Sequence, residues 1–160
     1  MHPYHMTKKE REITNPKVLT DILRKGKYTV IGLCRGNEPY VVTLSYGYDE
    51  SSHTLYFHAG NRGLKLDFLR ENPAVCGTVI EDRGYLSDEC AHAYRSVVFW
   101  GNMTIVEALE EKKQGMEVLF NQLEENPAPI KARTLKKDAA YDAVAVLKLK
   151  IDYLTGKQGQ

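Results

Sequence analysis

The apolar positions of the chain gather into six short runs rich in Val, Ile, Tyr or Phe: Tyr28–Leu33, Tyr40–Tyr46, Thr54–His58, Ala74–Ile80, Tyr94–Val106 and Ala143–Tyr153. Side chains of that kind suit a pleated, half-buried surface, so each run is expected as a strand. Arg35-Gly36-Asn37-Glu38 and Asp49-Glu50-Ser51-Ser52 are short polar turns of hairpin type. They leave no room for the helical crossover that parallel neighbours need, and the sheet is expected to be mainly antiparallel. Asn15-Pro16 followed by Val18, Leu19, Ile22 and Leu23 reads as a short amphipathic helix that Gly26 stops. Leu64–Glu71, ended by Asn72-Pro73, is a second helix. Glu107–Glu125 is a third, with Met116, Leu119, Phe120 and Leu123 on one face for core packing. The sum is a mainly β (α+β) fold: a six-stranded antiparallel barrel with a few flanking helices, expected to close the sheet and remove its edges. The stretch from Glu124 to Pro129 is expected as a loop, and the polar segment Glu81–Ala93 as a mobile flap.

At 160 residues with 42% hydrophobic content, the chain has the size of a single domain, residues 1–160, with one core. Twenty-two Lys and Arg balance 21 Asp and Glu with the signs mixed along the chain. No electrostatic footprint for nucleic acid or an anionic membrane results, so any anion must be held locally. The opening MHPYHMTKKEREIT lacks the apolar centre of a secretory signal, and no apolar run approaches the ~20 residues of a membrane span. A soluble, cytoplasmic protein is expected. Cys34, Cys76 and Cys90 are odd in number and lack zinc-site spacing, so they are expected as reduced thiols with no structural metal.

The chemistry concentrates in LYFHAGNRGLKLDFL, residues 55–69. Alternation in the strand sets Leu55 and Phe57 on one face and Tyr56 and His58 on the other. Beyond it, a helix starting near Gly63 offers unpaired N–H groups and a positive dipole end, with Arg62 and Lys65 adding cationic side chains. This is an anion cradle in type. GNRGLK matches neither the nucleoside-triphosphate loop nor the dinucleotide fingerprint, and a solvated surface lysine is the plainer reading of Lys65 taken alone. His58 is open between a structural histidine and an acid or ligand beside a cofactor. Cys90-Ala91-His92 has no second pair to complete a zinc site. His2 and His5 read as part of a frayed terminus. Tyr40, Tyr46, Tyr48, Tyr56 and Tyr94 suit strands equally well as the walls of a pocket for a planar ligand. No hydroxyl or thiol sits on a recognisable nucleophile turn, so an enzyme built this way would borrow its chemistry from a cofactor.

In their order, KKEREIT with the following helix to Gly26, PYVVTLSYGY, LYFHAGNRGLKLDFLRENPAVC, YRSVVFWGNMTIV and the terminal LTGK resemble the flavin-binding split β-barrel family related to pyridoxamine 5′-phosphate oxidase. The resemblance is nearest to its nitroimidazole-resistance (Nim-type) branch and covers nearly the whole chain. It implies FMN bound at the interface of a homodimer, and an oxidoreductase acting on a small planar substrate such as a nitroaromatic compound, with NADH or NADPH as a candidate donor. By the same resemblance, the backbone of Val41, Val42 and Thr43 would run along the pyrimidine side of the flavin, with Tyr46 nearby. His58 and Ala59 would lie beside the ring and ribityl chain, His58 as the candidate catalytic group. Lys65 would take the phosphate, with Arg95 and Ser96 as further candidates for that end. Thr43 stands where the family often has proline, Ser45 where asparagine is common, and Trp100 where a smaller aromatic is usual. Nothing in the chain specifically supports a pyridoxamine phosphate site. The alternatives are a carrier or sensor that holds FMN without turnover, and a haem-binding barrel with His58 or His92 as axial ligand.

Overall fold

The computed structural model describes residues 6–159; His2 and His5 lie outside the described residues. The described strands form one antiparallel sheet of β1 (Tyr28–Arg35), β2 (Glu38–Ser45), β3 (Gly47–Asp49), β4 (Thr54–Gly60), β5 (Ala74–Leu86), β6 (Ala91–Val106) and β7 (Val144–Gly159). Their order in the sheet is β2-β1-β5-β6-β7-β4-β3. Four α-helices flank it: α1 (Pro16–Lys25), α2 (Leu64–Glu71), α3 (Leu109–Leu123) and α4 (Ala128–Thr134). The helix α1 begins as its sequence requires. The Asn15 side chain accepts a hydrogen bond from the Lys17 N–H at 3.0 Å, Pro16 occupies the first position, and Gly26 closes the end by donating to the Ile22 carbonyl.

Two expectations change. The strands number seven rather than six, and the sheet is not closed: β2 and β3 are its two edges. These edges are nevertheless consecutive in the chain, separated only by Tyr46. A single extended segment is broken at that residue, its first part pairing with β1 and its second with β4. The break has a packing cause. The Tyr46 side chain is 0% exposed within the core, and its hydroxyl donates to the Leu23 carbonyl at the end of α1, 2.7 Å away. Gln122 of α3 locks the same point. Its amide donates to the carbonyls of Leu23 and Gly26, and its side-chain oxygen accepts the Tyr48 N–H at 2.8 Å. At Gly47 the backbone of α3 comes so close that an added Cβ would lie 2.5 Å from the Leu119 backbone.

The segment 81–93 is also corrected. It is not an irregular flap, because β5 runs on to Leu86 and β6 starts at Ala91, making a hairpin whose register shifts between Asp82 and Tyr85. Its side chains are mostly exposed or half-buried on both faces, so no alternation of apolar residues marked it as strand. The expected loop at 124–129 in turn ends in the start of α4.

The main core joins Ile22 and Leu23 of α1, Leu66 and Phe68 of α2, and inward residues such as Ile31, Phe57, Phe99 and Leu147. A smaller cluster, Tyr56, Val106, Met116 and Val146 with Tyr141, lies on the other face of β4, β6 and β7 beneath α3. Gly47→Ala is expected to force the break apart from α3. The overpacking should cost about 1–3 kcal/mol or more, read as a lowered midpoint in denaturant unfolding followed by circular dichroism.

Candidate functional site

Along β4, Leu55 and Phe57 enter the main core while Tyr56 faces α3. His58 emerges to solvent beyond it, and Ala59 packs half-buried against the core. The faces expected from alternation are those observed. Because β3 pairs with β4 only from Thr54 to Tyr56, the stretch from His58 to Gly60 has a sheet partner on one side alone, β7. The strand β2 has the mirror situation, paired with β1 and bare along its outer edge. The two strands touch across the split without pairing. Backbone N–H and C=O groups on facing edges are thus left for something other than the sheet to satisfy.

The turn after β4 leads into α2. Gly63 takes φ +134°, a conformation open to glycine, and no side chain caps the helix. Leu66 and Asp67 donate their N–H groups to the Gly63 carbonyl, so those of Leu64 and Lys65 have no intrahelical acceptor. Lys65 is half-buried, Arg62 is exposed, and neither makes an ion pair or side-chain hydrogen bond among the described residues. The helix also reaches β2, since the Tyr40 ring lies 5.3 Å from that of Phe68. The facing edges of β2 and the end of β4, with α2 beside them, bound an open groove in the sheet.

Val41 and Thr43 project from β2 to the outer face of the sheet, where Val41 is 64% exposed. In the same rows stand Gly32 and Val30 of β1, Cys76 and Thr78 of β5, and Trp100 and Val98 of β6. Tyr28 and Ile80, 63% and 60% exposed, continue the patch, and Ser96 lies opposite Ile80. The Val42 side chain packs inward against the core instead. Tyr46 brings no side-chain surface to the groove; burial raises its hydroxyl far above the ordinary range.

Arg95 lies far from His58 along the sheet. His58 and Val106 share Val146 as a row partner, and Arg95 lies eleven residues back along β6, on the order of 30 Å of strand. The Arg95 guanidinium pairs with Glu81 and, at 3.3 Å, with Asp21 of α1. Arg95 holds the Glu81 carboxylate below its ordinary range; for Asp21 the Lys25 ammonium is the larger influence in the same direction. An arginine already neutralised by two carboxylates is poorly placed to take a phosphate. Sequence reading missed this network and the Gln122 lock, neither of which has a local motif. A cavity of about 830 Å³ also lies away from the groove, between the 3-10 turn at Lys9–Arg11 and the β5–β6 hairpin.

A family model described as pyridoxamine 5′-phosphate oxidase matches residues 16–158. The chain belongs to this family. Among solved structures, it is similar to a proposed 5-nitroimidazole antibiotic resistance protein of Bacteroides thetaiotaomicron, with 26% identity and a TM-score of 0.76 over 91% of this chain and 85% of that one. A flavocytochrome of Azotobacter vinelandii shares the fold with a TM-score of 0.82 at 17% identity, covering 98% of this chain and 73% of that one. An FAD- and haem-binding protein of Mycobacterium smegmatis does so at 0.77 and 19%, over 94% and 74%. No curated protein matches. The open antiparallel sheet with its flanking helices is the family's split-barrel architecture. No helix among the described residues is long and apolar enough to cross a membrane.

The ion-pair network has a pH signature. Glu81 is depressed below its ordinary 4.5, so its contribution to stability is present above that pH and is lost as pH falls through the lower folded value. Glu81→Gln is expected to lower the thermal midpoint at pH 7, with the difference from the parent shrinking toward zero under acid.

Proposed function

We propose that the protein is an FMN-dependent oxidoreductase, a homodimer of the cytoplasm that reduces small planar acceptors such as nitroaromatic compounds with electrons from NADH or NADPH. The observation that carries this reading is the meeting of two unpaired strand edges with an uncapped helix start bearing an unpaired lysine. A flavin mononucleotide needs those three things together: backbone groups for its polar pyrimidine edge, an apolar wall, and a cationic end for its phosphate. The donors and acceptors along Val41 to Thr43 suit the first. Ala59 suits the second, and Lys65, with Arg62 and the free N–H groups of Leu64 and Lys65, suits the third. When bound, FMN supplies the electron transfer that the side chains lack. His58, exposed near the end of β4, would orient an acceptor or deliver a proton to it.

The homodimer is supported by the outer face of the sheet. Val41, Tyr28 and Ile80 leave large apolar side chains in water on the face beside the proposed flavin strand, and a second copy covering them would remove that cost. Ser96 stays on this face and remains a candidate contact, whereas the pairing of Arg95 with Glu81 and Asp21 counts against a phosphate role. The reduction of nitroaromatics draws on the similarity to the Bacteroides thetaiotaomicron structure.

The visible spectrum of the purified protein, before and after adding FMN, tests the cofactor. Flavin bands are expected, with bleaching by NADH or NADPH and recovery on adding a nitroaromatic acceptor. Flavin that binds but resists both donors would favour a carrier, and a Soret band would favour haem. Lys65→Ala is expected to raise the Kd for FMN roughly tenfold to a hundredfold while leaving that for riboflavin unchanged, the loss of one charge-assisted contact to phosphate of about 1.5–3 kcal/mol. His58→Ala should keep its flavin and lose about 10²-fold in kcat.

A further inference from the structure

The turn between β4 and α2 has little structure of its own. Gly60 ends β4 in register with Val144 of β7, and the Gly63 carbonyl opens α2 by accepting the Leu66 and Asp67 N–H groups. Asn61 and Arg62 lie exposed between them, and Gly63, at φ +134°, has open space where a side chain would stand. Among the described residues, one hydrogen bond ties Asn61 and Arg62 to a distant part of the chain. The Asn61 side-chain amide donates to the Asp142 carbonyl, 81 positions later in the sequence. A turn that ends on a glycine and buries no side chain is ordered only as far as such a contact orders it.

The acceptor is itself held. Asp142 belongs to the 3-10 turn Asp138–Ala143, which leads into β7 and whose Tyr141 side chain joins the buried cluster beneath α3. The half-buried Lys112 of α3 donates to the Tyr141 carbonyl at 3.2 Å and to the Val144 carbonyl at 3.3 Å, so its two acceptors stand on either side of Asp142. Lys113, next in the helix, pairs with Asp138 at 2.9 Å and fixes the start of the same turn. A chain of contacts thus runs from α3 through the Asp138–Ala143 turn to Asn61.

We infer that Asn61 and, through the Asp142 carbonyl, Lys112 are positioning residues for the phosphate end of the cofactor site, an inference that rests on the flavin reading above. Backbone N–H groups serve a phosphate well only when they already point at it, because every residue that must be ordered on binding subtracts its lost freedom from the affinity. Asn61 orders the turn before the ligand arrives, and Lys112 fixes the carbonyl that Asn61 needs. Lys65 supplies charge, whereas these two residues set the direction of the N–H groups of Leu64 and Lys65. A flavin without a phosphate makes no use of the turn, so its affinity is independent of both.

Two measurements test this on the parent protein and on Asn61→Ala, Lys112→Met and Lys112→Arg: amide-nitrogen NMR relaxation of the flavin-free protein, and titration with FMN and with riboflavin. Lys148→Met is the control for general loosening of α3, since Lys148 pairs with Glu111 of the same helix at 2.7 Å. The order parameters of residues 62–65 are expected near about 0.85 in the parent and below about 0.6 in Asn61→Ala and Lys112→Met. The same two variants should raise the Kd for FMN roughly tenfold and leave that for riboflavin unchanged, the cost of ordering about one residue on binding. Lys112→Arg, which can still donate to both carbonyls, should stay close to the parent, and Lys148→Met should not alter the ratio of the two affinities. Parent-like order in the turn of both Asn61→Ala and Lys112→Met, or an equal loss of affinity for the two flavins, would overturn the inference. FMN binding weakened by Lys65→Ala but by neither of these variants would overturn it and leave the flavin reading standing. A parent that binds neither flavin would overturn that reading and the phosphate role with it.

Discussion

The burial of Tyr46 is the constraint on which the remainder of the molecule hangs. At Tyr46 the chain leaves its pairing with β1 and takes up its pairing with β4, and the buried side chain anchors that change of partner in the core. Its hydroxyl, taken from water, needs an acceptor and finds the Leu23 carbonyl, an orphan at the end of α1. One hydrogen bond thus satisfies two groups that would each be costly to bury alone. Gln122 brings α3 to the same point and satisfies the Gly26 carbonyl and the Tyr48 N–H as well. The helices α1 and α3, ninety-odd residues apart in sequence, are held where the sheet changes partner.

The groove follows from that break. A closed barrel would have paired β2 with β4 and left nothing for a ligand's polar edge. The split keeps their backbone groups available while the surrounding strands remain continuous, so the site is built from main chain on a rigid frame. On the proposed reading, Val41, Val42 and Thr43 would meet a flavin through their backbone and need no unusual side chain. Substitutions such as Thr43 for proline would be tolerated there for the same reason, since what matters is the path of the strand. Lys65 and Arg62 bring cationic side chains to a helix start that Gly63 leaves uncapped.

The far end of the sheet is organised by charge rather than by apolar burial. Asp21, Arg95 and Glu81 tie α1 to the root of the β5–β6 hairpin, and Arg83 and His92 extend the pairing toward its tip. Beyond the barrel the hairpin has little core to rest on, so paired backbone and these contacts hold it. That same exposure leaves Cys90 and His92 open to solvent.

Strand positions, the two short polar turns, the start of α1 and the helix after Gly63 were legible in the sequence because their causes lie within a few residues: alternation, a capping Asn15-Pro16, a glycine before a helix. What the tertiary structure alone decided is where distant residues meet. Tyr46 looks like any strand tyrosine until Leu23 and Gln122 are placed beside it. Arg95 reads as a free cation until Asp21, 74 positions earlier, closes on it. Residues 81–93 read as a loop because a hairpin exposed on both faces carries no apolar period. Local pattern determines what each segment can form, and only packing determines which segments supply one another's missing partners.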